Sequence, residues 1–417
     1  MELCIIVSYH VPEIFNFDFQ VVRKNTKLLN CSNSDKWVFG SGQSVRYNQG
    51  RNAPGYSNQK GEESPWNLFF SFLKAYHNFK ACVPLARHTK ITSMKNIAIL
   101  TGGDSEERVI SLKSGQVVFD HLPKDCYRCF QIDVQKADWC DLNSGVQVDK
   151  NDFSLTLNGE HIRFDCAFAA LHGAPLEDGK MQGYLEMLGI PYTCCNGYVS
   201  ALTMNKHNTK MQIAQYGSRI PMAKSVLLQR DQTIENEALE SLGLPVFVKP
   251  NTHGSSFGVS KVKTTEALLP AIEEAFQFDQ EVVVESYLPG REFSNGALRV
   301  GGAVVVLPVT EIIPDDEFFT YAAKYEGRSK EVTPAEISPA LSQQCQANSH
   351  FLYHALQCRG VVRFDYILVG ETFHFLEANT IPGISPASIV PQQAVAHGWA
   401  LGDFFALLIE EAITSFK

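Results

Sequence analysis

The sequence predicts an α/β protein of more than one domain, in which strands and helices alternate from Met94 onward. The first observation is length, because 417 residues at roughly 150 per domain suffice for two or three domains. The second is composition, because 45% hydrophobic and 19% charged residues are typical of ordered, water-soluble globular proteins. The third is an abrupt change at Met94, where an Asn- and Ser-rich segment gives way to a strand followed by a glycine turn.

Charge and hydropathy exclude several classes of protein. The formal net charge is −9 and the basic residues form no cluster, which argues against a nucleic-acid-binding protein. Apolar runs such as residues 97–100 and 303–307 are far shorter than the roughly 18 residues needed to cross a bilayer. The sequence therefore predicts a soluble protein with neither a nucleic-acid nor a membrane partner.

Cysteine usage and the first residues indicate the compartment. The eleven cysteines are odd in number and scattered, which favours reduced thiols over a disulfide framework. No basic segment precedes an apolar stretch after Met1, as it would in a signal peptide. Cys126 and Cys129 form a single CxxC pair with no second pair to complete four zinc ligands, so we interpret them as ordinary thiols. These features predict a cytoplasmic protein.

Residues 1–93 differ from the rest of the chain. They contain eleven basic and six acidic residues, a net charge of +5, whereas the remaining 25 basic and 39 acidic residues give −14. They show no sustained strand or helix periodicity apart from a short helical pattern near residues 68–76. We interpret Met94 as the native start and residues 1–93 as an N-terminal extension outside the native fold; a lid or partner-binding arm is the alternative.

Two βα units follow Met94. In the first, a strand at residues 97–100 and the Gly102-Gly103 turn lead into a helix predicted to begin at Asp104, with Val109, Leu112 and Phe119 on its apolar face. In the second, a buried strand at 166–171 ends at His172 and precedes a helix at 179–188. Polar groups at the carboxyl ends of such strands meet in one crevice. Taken alone, Glu107 is equally compatible with a helix cap, and His172 with a structural histidine.

A lysine and a glycine-rich loop predict a nucleotide site. A strand at residues 245–249 ends in Lys249, and a small-residue loop at 254–258 leads to a second strand at 259–262. Such a loop lets backbone N–H groups approach a polyphosphate. It is not a P-loop, because it joins two strands, and a plain hairpin is the alternative. The strand at 282–285 and the polar residues after it are suited to an adenine edge and a ribose.

Two strands near the C-terminus place acids on an apolar framework. Residues 361–368 and 372–379 are predicted strands separated by a short turn. Alternation puts Arg363 and Asp365 on one face and pairs Glu377 with Asn379 in the same way. Oxygen ligands of this kind are those that Mg²⁺ selects, and an internal salt-bridge cluster is the alternative. Together with the phosphate loop, this set indicates an ATP-using enzyme.

These residues give the chain from Met94 to Lys417 a resemblance to the bacterial D-alanine–D-alanine ligases of the ATP-grasp superfamily. Leu176 departs from the family pattern, which often has Gly there, and Thr320 and Ala322 stand where acids usually flank a tyrosine. The matching motifs, in chain order, are Gly102-Gly103-Asp104-Ser105-Glu106-Glu107, Leu171-His172-Gly173, Glu177-Asp178-Gly179, Met204-Asn205-Lys206, Val248-Lys249-Pro250, Gly254-Ser255-Ser256, Ala323-Lys324-Tyr325, Arg363-Phe364-Asp365 and Glu377-Ala378-Asn379.

The resemblance implies a fold, an assembly and a nucleotide site. It implies an open parallel α/β substrate domain at 94–194, followed by a two-domain ATP-grasp fold at 195–284 and 285–417, and a homodimer. Lys206, Lys249 and Lys324 would hold the phosphates of ATP, with Ser256 in the same site. Glu285 would meet the adenine and Glu292 the ribose. Two Mg²⁺ ions, which Mn²⁺ could replace, would bind Asp365, Glu377 and Asn379.

The resemblance also implies the substrates. Glu107 would bind the amino group of the first D-alanine, with His172 nearby, and Ser255 and Tyr325 would join Glu107 in a polar network. Arg363 would stabilise the tetrahedral oxyanion, and Ser388 would contact the second D-alanine. The expected reaction is ligation of two D-alanines through an acyl phosphate, for peptidoglycan synthesis. Alternatives are a related ligase that uses D-lactate or another D-amino acid second, or a non-catalytic nucleotide-binding module.

Overall fold

The computed structural model describes residues 94–232, 236–254, 257–314 and 329–416, together with short strands before residue 47. The chain divides into two units, residues 1–74 and 75–417. In the first unit the described strands form an antiparallel β1-β2-β3 sheet and a β4-β5 pair, which the sequence pattern did not predict. The helical pattern near residues 68–76 lies outside the described residues. These strands are β1 Leu3–Val7, β2 Phe19–Arg23, β3 Thr26–Cys31, β4 Lys36–Val38 and β5 Ser44–Arg46.

The second unit contains the remaining described elements. Its strands are β6 Lys95–Gly102, β7 Tyr127–Gln135, β8 Asp138–Asp141, β9 Ser154–Leu157, β10 Glu160–Arg163, β11 Cys166–Ala169, β12 Ser225–Gln229, β13 Val246–Pro250, β14 Ser260–Val262, β15 Glu281–Ser286, β16 Arg291–Val300, β17 Ala303–Val306, β18 Thr310–Pro314, β19 Ser329–Val332, β20 Val361–Val369 and β21 Thr372–Asn379. Its α-helices are α1 Arg108–His121, α2 Lys180–Met187, α3 Gly197–Met204, α4 Lys206–Ala214, α5 Asn236–Glu240, α6 Leu268–Ala275, α7 Pro339–Ala355, α8 Ile389–Ala396 and α9 Leu401–Ser415.

The first sheet of this unit has the order β11-β6-β7-β8, with β11, β6 and β7 parallel and β8 an antiparallel edge. This agrees with the predicted open α/β domain. Helix α1 connects the parallel strands β6 and β7, as a crossover between parallel strands requires. The middle strand β6 is buried along most of its length, with Ile97 and Leu100 fully inaccessible. The carboxyl ends of β6 and β11 lead directly to Glu107 and His172.

The predicted start of α1 was wrong, and its predicted apolar face was only partly right, because Phe119 packs against the core but Val109 does not. The helix begins at Arg108, with Glu107 at its N-cap, because Gly102 and Gly103 adopt φ of +82° and +94° and the next residues form a turn. Val109 is 60% exposed. The buried face instead contains Gly115, where an added Cβ would lie 2.8 Å from the Thr101 side chain. Small residues allow the helix to approach β6 closely, so an apolar stripe is not required there.

The two other large sheets are antiparallel. The second has the order β12-β15-β13-β14, and the third has the order β19-β18-β16-β20-β21, with β17 also paired to β16. One face of the second sheet places Val246, Val248 and Val284 in a core with α6. Since side chains alternate along a strand, Lys249 and Glu285 must lie on the opposite face. The predicted strands on both sides of residues 254–258 are confirmed as a β-hairpin of β13 and β14.

The last helix returns to the first sheet. Phe405 and Leu408 of α9 share a core with Ile97 and Phe168, and Phe405 packs edge-on against Phe168 at 5.6 Å between ring centroids. At the helix end, Glu410 accepts hydrogen bonds from Lys95 and Tyr127. The sheets thus belong to one unit, and division into domains at 195 and 285 stays a prediction. No helix in the described part of the chain combines the length and apolar character needed to span a membrane.

Candidate active site

A cavity of about 680 Å³ lies within the second unit and is lined by strands of the second and third sheets and by residues that follow β6 and β11 of the first. All eleven predicted site residues that the structure describes line it. Ser255, Ser256, Lys324 and Tyr325 fall outside the described residues. The predicted residues that line the cavity are Glu107, His172, Lys206, Lys249, Glu285, Glu292, Arg363, Asp365, Glu377, Asn379 and Ser388. Residues separated by almost 300 positions in sequence therefore meet at one site.

One wall of the cavity is built on the second sheet and carries a buried group of charges. Glu285 on β15 pairs with Lys249 on β13 at 2.6 Å, and its other oxygen accepts a hydrogen bond from Lys210 of α4. Each of the three side chains is at most 8% exposed. Burial opposes ionisation of Glu285, but the two ammonium groups outweigh it and lower its pKa to about 2. We call Lys210, Lys249 and Glu285 the lysine–glutamate triad.

Lys206 extends this wall. It is the first residue of α4, and its ammonium donates a hydrogen bond to the carbonyl of His253 at 2.7 Å. Asn205 caps the helix by accepting from the Asn208 N–H at 2.8 Å. The helix is also tied to the end of β13, because Asn251 accepts from the His207 N–H at 2.9 Å. These contacts place a cation beside the loop predicted to hold phosphates.

A second wall consists of β20 and β21. The strand register pairs Asp365 with Glu377 and Arg363 with Asn379, which confirms the alternation predicted from the sequence. Asp365 is buried, accepts two hydrogen bonds from Arg363 at 2.7 and 2.9 Å, and accepts another from Ser294 of β16. Glu377 and Asn379 are half-buried and line the cavity. We call Asp365, Glu377 and Asn379 the carboxylate–amide set.

The donor chemistry of this set fits a magnesium ion. Two carboxylates and one amide on paired strands offer only oxygen ligands, which Mg²⁺ prefers, and the cavity leaves room for phosphate oxygens. In the described residues, no three His, Cys, Asp or Glu side chains cluster closely enough to form a metal site by themselves. This is consistent with a set whose third member is an amide. Cys126 and Cys129 are free thiols.

Glu107 and His172 lie at the carboxyl ends of β6 and β11. His172 is 5% exposed, and its two ring nitrogens lie 3.1 Å from the hydroxyl of Ser114 and 3.1 Å from the carbonyl of Ile381. Because a carbonyl can only accept, Nδ1 carries the proton and Nε2 accepts from Ser114. Burial lowers the pKa of His172, which agrees with a neutral ring. The Ile381 N–H in turn donates to the side-chain oxygen of Asn379 at 3.1 Å, so His172 supports the carboxylate–amide set.

Two residues of the site were not assigned roles from the sequence. Glu177 lines the cavity, and burial together with the charge of Glu107 raises its pKa to about 8. Its only sequence signal was its position in the Glu177-Asp178-Gly179 motif. Lys210 follows Lys206 by four residues on α4, a spacing that places both on one helix face. Its partner is on a distant strand, so the spacing alone did not identify it.

The α8 end of the cavity supplies hydroxyl groups. Ser388 is the N-cap residue of α8, and its hydroxyl lies 2.8 Å from that of Ser385. Glu331 of β19 lines the cavity at this end and accepts a hydrogen bond from Gln392 at 2.9 Å. Glu292 lies at the start of β16, beside an Arg291–Glu311 pair at 2.6 Å. The cavity thus has a cationic wall, an acidic wall and a polar end.

Comparisons with known proteins agree with this geometry. Family models described as D-ala D-ala ligase N-terminus and C-terminus match residues 96–195 and 213–410. The D-alanine–D-alanine ligase of Flavobacterium johnsoniae is 47% identical over 321 residues, which are 76% of this chain and 99% of that protein. The corresponding ligase of Christiangramia forsetii is 44% identical over 323 residues, 76% and 98% of the two chains.

Solved structures give the same result. The VanG D-Ala:D-Ser ligase from Enterococcus faecalis superposes with a TM-score of 0.68 at 30% identity, covering 77% of this chain and all of the other. The D-alanine–D-alanine ligase from Bacillus anthracis complexed with ATP superposes with a TM-score of 0.63 at 28% identity, covering 77% and 98%.

Proposed function

The chain belongs to the D-alanine–D-alanine ligase family, and from this premise we propose how its cavity joins two D-alanine molecules. The resemblance seen in the motifs is thereby confirmed. The protein is an ATP-dependent ligase that makes D-alanyl-D-alanine for peptidoglycan synthesis. The observation that carries the assignment of this reaction to the cavity is that Lys249 and Glu285 of the triad line the same space as the carboxylate–amide set.

The cationic wall binds the nucleotide in this proposal. Lys206 and Lys249 neutralise phosphate oxygens, which a buried or half-buried ammonium does more strongly than an exposed one. Glu285 remains ionised, since its pKa is about 2, and accepts a hydrogen bond from the amino group of the adenine. Glu292 binds the ribose. Ser256 and Lys324 belong to the same proposed site by family resemblance.

The acidic wall holds the metal. Asp365, Glu377 and Asn379 would bind two Mg²⁺ ions, or Mn²⁺ in their place, and these ions would neutralise the charge on the transferred phosphoryl group. Arg363 fixes the Asp365 carboxylate with two hydrogen bonds, so that carboxylate cannot rotate away from the cavity. Ser294 holds the same group from β16.

Glu107, His172 and Ser388 orient the two D-alanines in this proposal. Glu107 binds the ammonium group of the first D-alanine. His172 supports that subsite through its hydrogen bonds to Ser114 and Ile381. Ser388 contacts the second D-alanine. A carboxylate is a poor acyl donor, so phosphorylation by ATP must precede attack by the second amine. Arg363 then stabilises the oxyanion, and Ser255 and Tyr325 complete the polar network with Glu107.

The identity of the second substrate is the part of the proposal with a competing candidate. A structure described as a D-Ala:D-Ser ligase superposes over 77% of this chain, so another D-amino acid at the second subsite is a specific alternative. D-Lactate is a weaker alternative. The non-catalytic binding module is disfavoured, because Asp365, Glu377 and Asn379 are all retained. A homodimer, a cytoplasmic location and the absence of nucleic-acid and membrane partners belong to the same proposal.

A product assay tests the function. Purified protein with ATP and Mg²⁺ is incubated with D-alanine alone, and with D-alanine plus D-serine, D-lactate or L-alanine. We expect D-alanyl-D-alanine as the main product and ADP release that depends on D-alanine. Predominant formation of a mixed product would assign the second subsite to another acceptor. Equal use of L-alanine, or no dipeptide at all, would contradict the assignment.

A further inference from the structure

Lys210 is a buried lysine behind the cationic wall of the cavity. It is 4% exposed and does not line the cavity, in contrast to Lys206 one turn earlier on α4. Its ammonium donates to Oε1 of Glu285 and to the carbonyl of Ala223 at 3.3 Å. Lys249 binds the other oxygen of Glu285 and does line the cavity. Glu285 is therefore shared between a cation that faces the ligand and one that does not.

We propose that Lys210 is a positioning residue for ATP binding, which acts by holding Glu285 so that Lys249 keeps its positive charge available to the phosphates. The inference rests on the proposed function, in that it concerns the nucleotide site of that reaction. Lys210 itself touches no substrate.

Charge balance in the triad supports this role. Two ammonium groups and one carboxylate leave a net charge of +1 at a site where every member is nearly inaccessible to water. Without Lys210 the remaining Lys249–Glu285 pair has no net charge. The negative charge of Glu285 then offsets that of Lys249, and the pair attracts the phosphates of ATP less strongly. Water screens electrostatic interactions only weakly in such surroundings, so the loss of one charge should strongly reduce the attraction between Lys249 and the phosphates.

Geometry supports it as well. Glu285 lies opposite Phe247 in the strand register, and Lys249 lies opposite Val283, so the Lys249–Glu285 contact is diagonal across β13 and β15. A long side chain reaching diagonally has several rotamers available. A second donor on the far oxygen restricts Glu285 to one orientation, which fixes both its hydrogen bond to Lys249 and the edge it presents to the cavity.

A purely structural role for Lys210 is the competing explanation, and a double-mutant cycle distinguishes the two. The four proteins are wild type, Lys210→Met, Glu285→Gln and the double variant. The readout is the Kd for ATP, measured calorimetrically without D-alanine, together with kcat and the KM for ATP. Lys224→Met is the matched control, because Lys224 is an exposed lysine next to β12 of the same sheet.

We expect Lys210→Met to weaken ATP binding by at least about tenfold while kcat at saturating ATP stays within about twofold. In the Glu285→Gln background the same substitution should change the Kd by less than about twofold. Lys224→Met should match wild type. If Lys210→Met does not fold, Lys210→Gln takes its place in the cycle, because it keeps a hydrogen-bond donor beside Glu285 but lacks the positive charge, and it should weaken ATP binding in the same way.

An unchanged Kd in Lys210→Met, or the same weakening with and without Glu285, would overturn the inference. A lower melting temperature with unaltered ATP affinity would identify Lys210 as structural only. Failure of the proposed function is recognised separately, because the wild-type protein would then bind no ATP or form no dipeptide.

Discussion

The two walls of the cavity solve the problem of burying charge in different ways. On the second sheet, Glu285 is compensated by two lysines within the protein, so the lysine–glutamate triad is complete and carries a surplus of +1. On the third sheet, Arg363 offsets Asp365, and Glu377 adds a further negative charge. Within the described residues, the first wall thus offers a cation to a ligand and the second offers an anion.

The difference indicates how each wall recognises its ligand. A surplus positive charge held in fixed geometry is suited to phosphates, because the protein does not need to rearrange when they bind. A set of carboxylate and amide oxygens on paired strands is suited to a divalent cation, which prefers oxygen ligands. Magnesium ATP, which contains both kinds of charge, matches the two walls together.

Neutralising the acidic wall should have the largest effect. Glu377→Gln keeps the shape but replaces a carboxylate ligand by a neutral amide, so we expect Mg²⁺-dependent turnover to fall by roughly a hundredfold or more while the fold persists. Steady-state ADP release measured over a range of Mg²⁺ concentrations checks this. The exposed Glu371, in the turn that joins β20 to β21, supplies the control Glu371→Gln. Wild-type turnover in Glu377→Gln would refute the metal assignment.

The acidic wall was predictable from sequence because its information is local. Residues 361–379 form one hairpin, so alternation along two adjacent strands was sufficient to place Arg363, Asp365, Glu377 and Asn379 together. The triad was only half predictable. Lys249 and Glu285 stand at the ends of recognisable strands, but Lys210 reaches Glu285 across 75 residues and only through the packing of α4 on the sheet.

Helix α1 shows the opposite limitation. The acids at 104–107 have the composition of a first helical turn, yet the structure uses them in a turn because Gly102 and Gly103 take positive φ. The predicted apolar face was only partly right, since Phe119 packs against the core but close packing on β6 requires a small residue such as Gly115. Composition predicted the helix, whereas its start and its buried face depend on tertiary contacts.

The pH dependence of stability sharpens the comparison at Glu177, a buried carboxyl group whose pKa is also raised by neighbouring carboxylates. Burial, Glu107 and Glu377 raise its pKa to about 8, against the opposing effect of Lys206. The unfolded chain ionises this group near its ordinary pKa of about 4.3, whereas the folded protein retains the proton. The folded state therefore loses stability between that value and about pH 8.

Glu177→Gln removes this penalty. Relative to wild type, its melting temperature should rise by on the order of a few degrees as the pH increases from 5 to 8. Differential scanning calorimetry of both proteins without ligands measures the difference. A difference in melting temperature that stays constant over this range, or that narrows, would show that Glu177 is already ionised in the folded protein.

The smallest expected effect concerns residues 1–93, because both walls are built from residues after Met94. A protein that begins at Met94 retains Lys95 and its bonds to Glu410, which join β6 to α9, and it retains every described residue of the cavity. It loses a segment of net charge +5, which at the ionic strength of the cell is screened within about 8 Å of exposed charges. We therefore predict that the shortened protein is soluble, melts within about 2 °C of the full chain and has the same kcat and KM values.

Parallel purification, calorimetry and ADP-release assays of the two proteins test this. Insolubility or a loss of turnover on shortening would show that residues 1–93 belong to the native fold, and a selective change in the KM for ATP would indicate that they adjust the charge of the cationic wall.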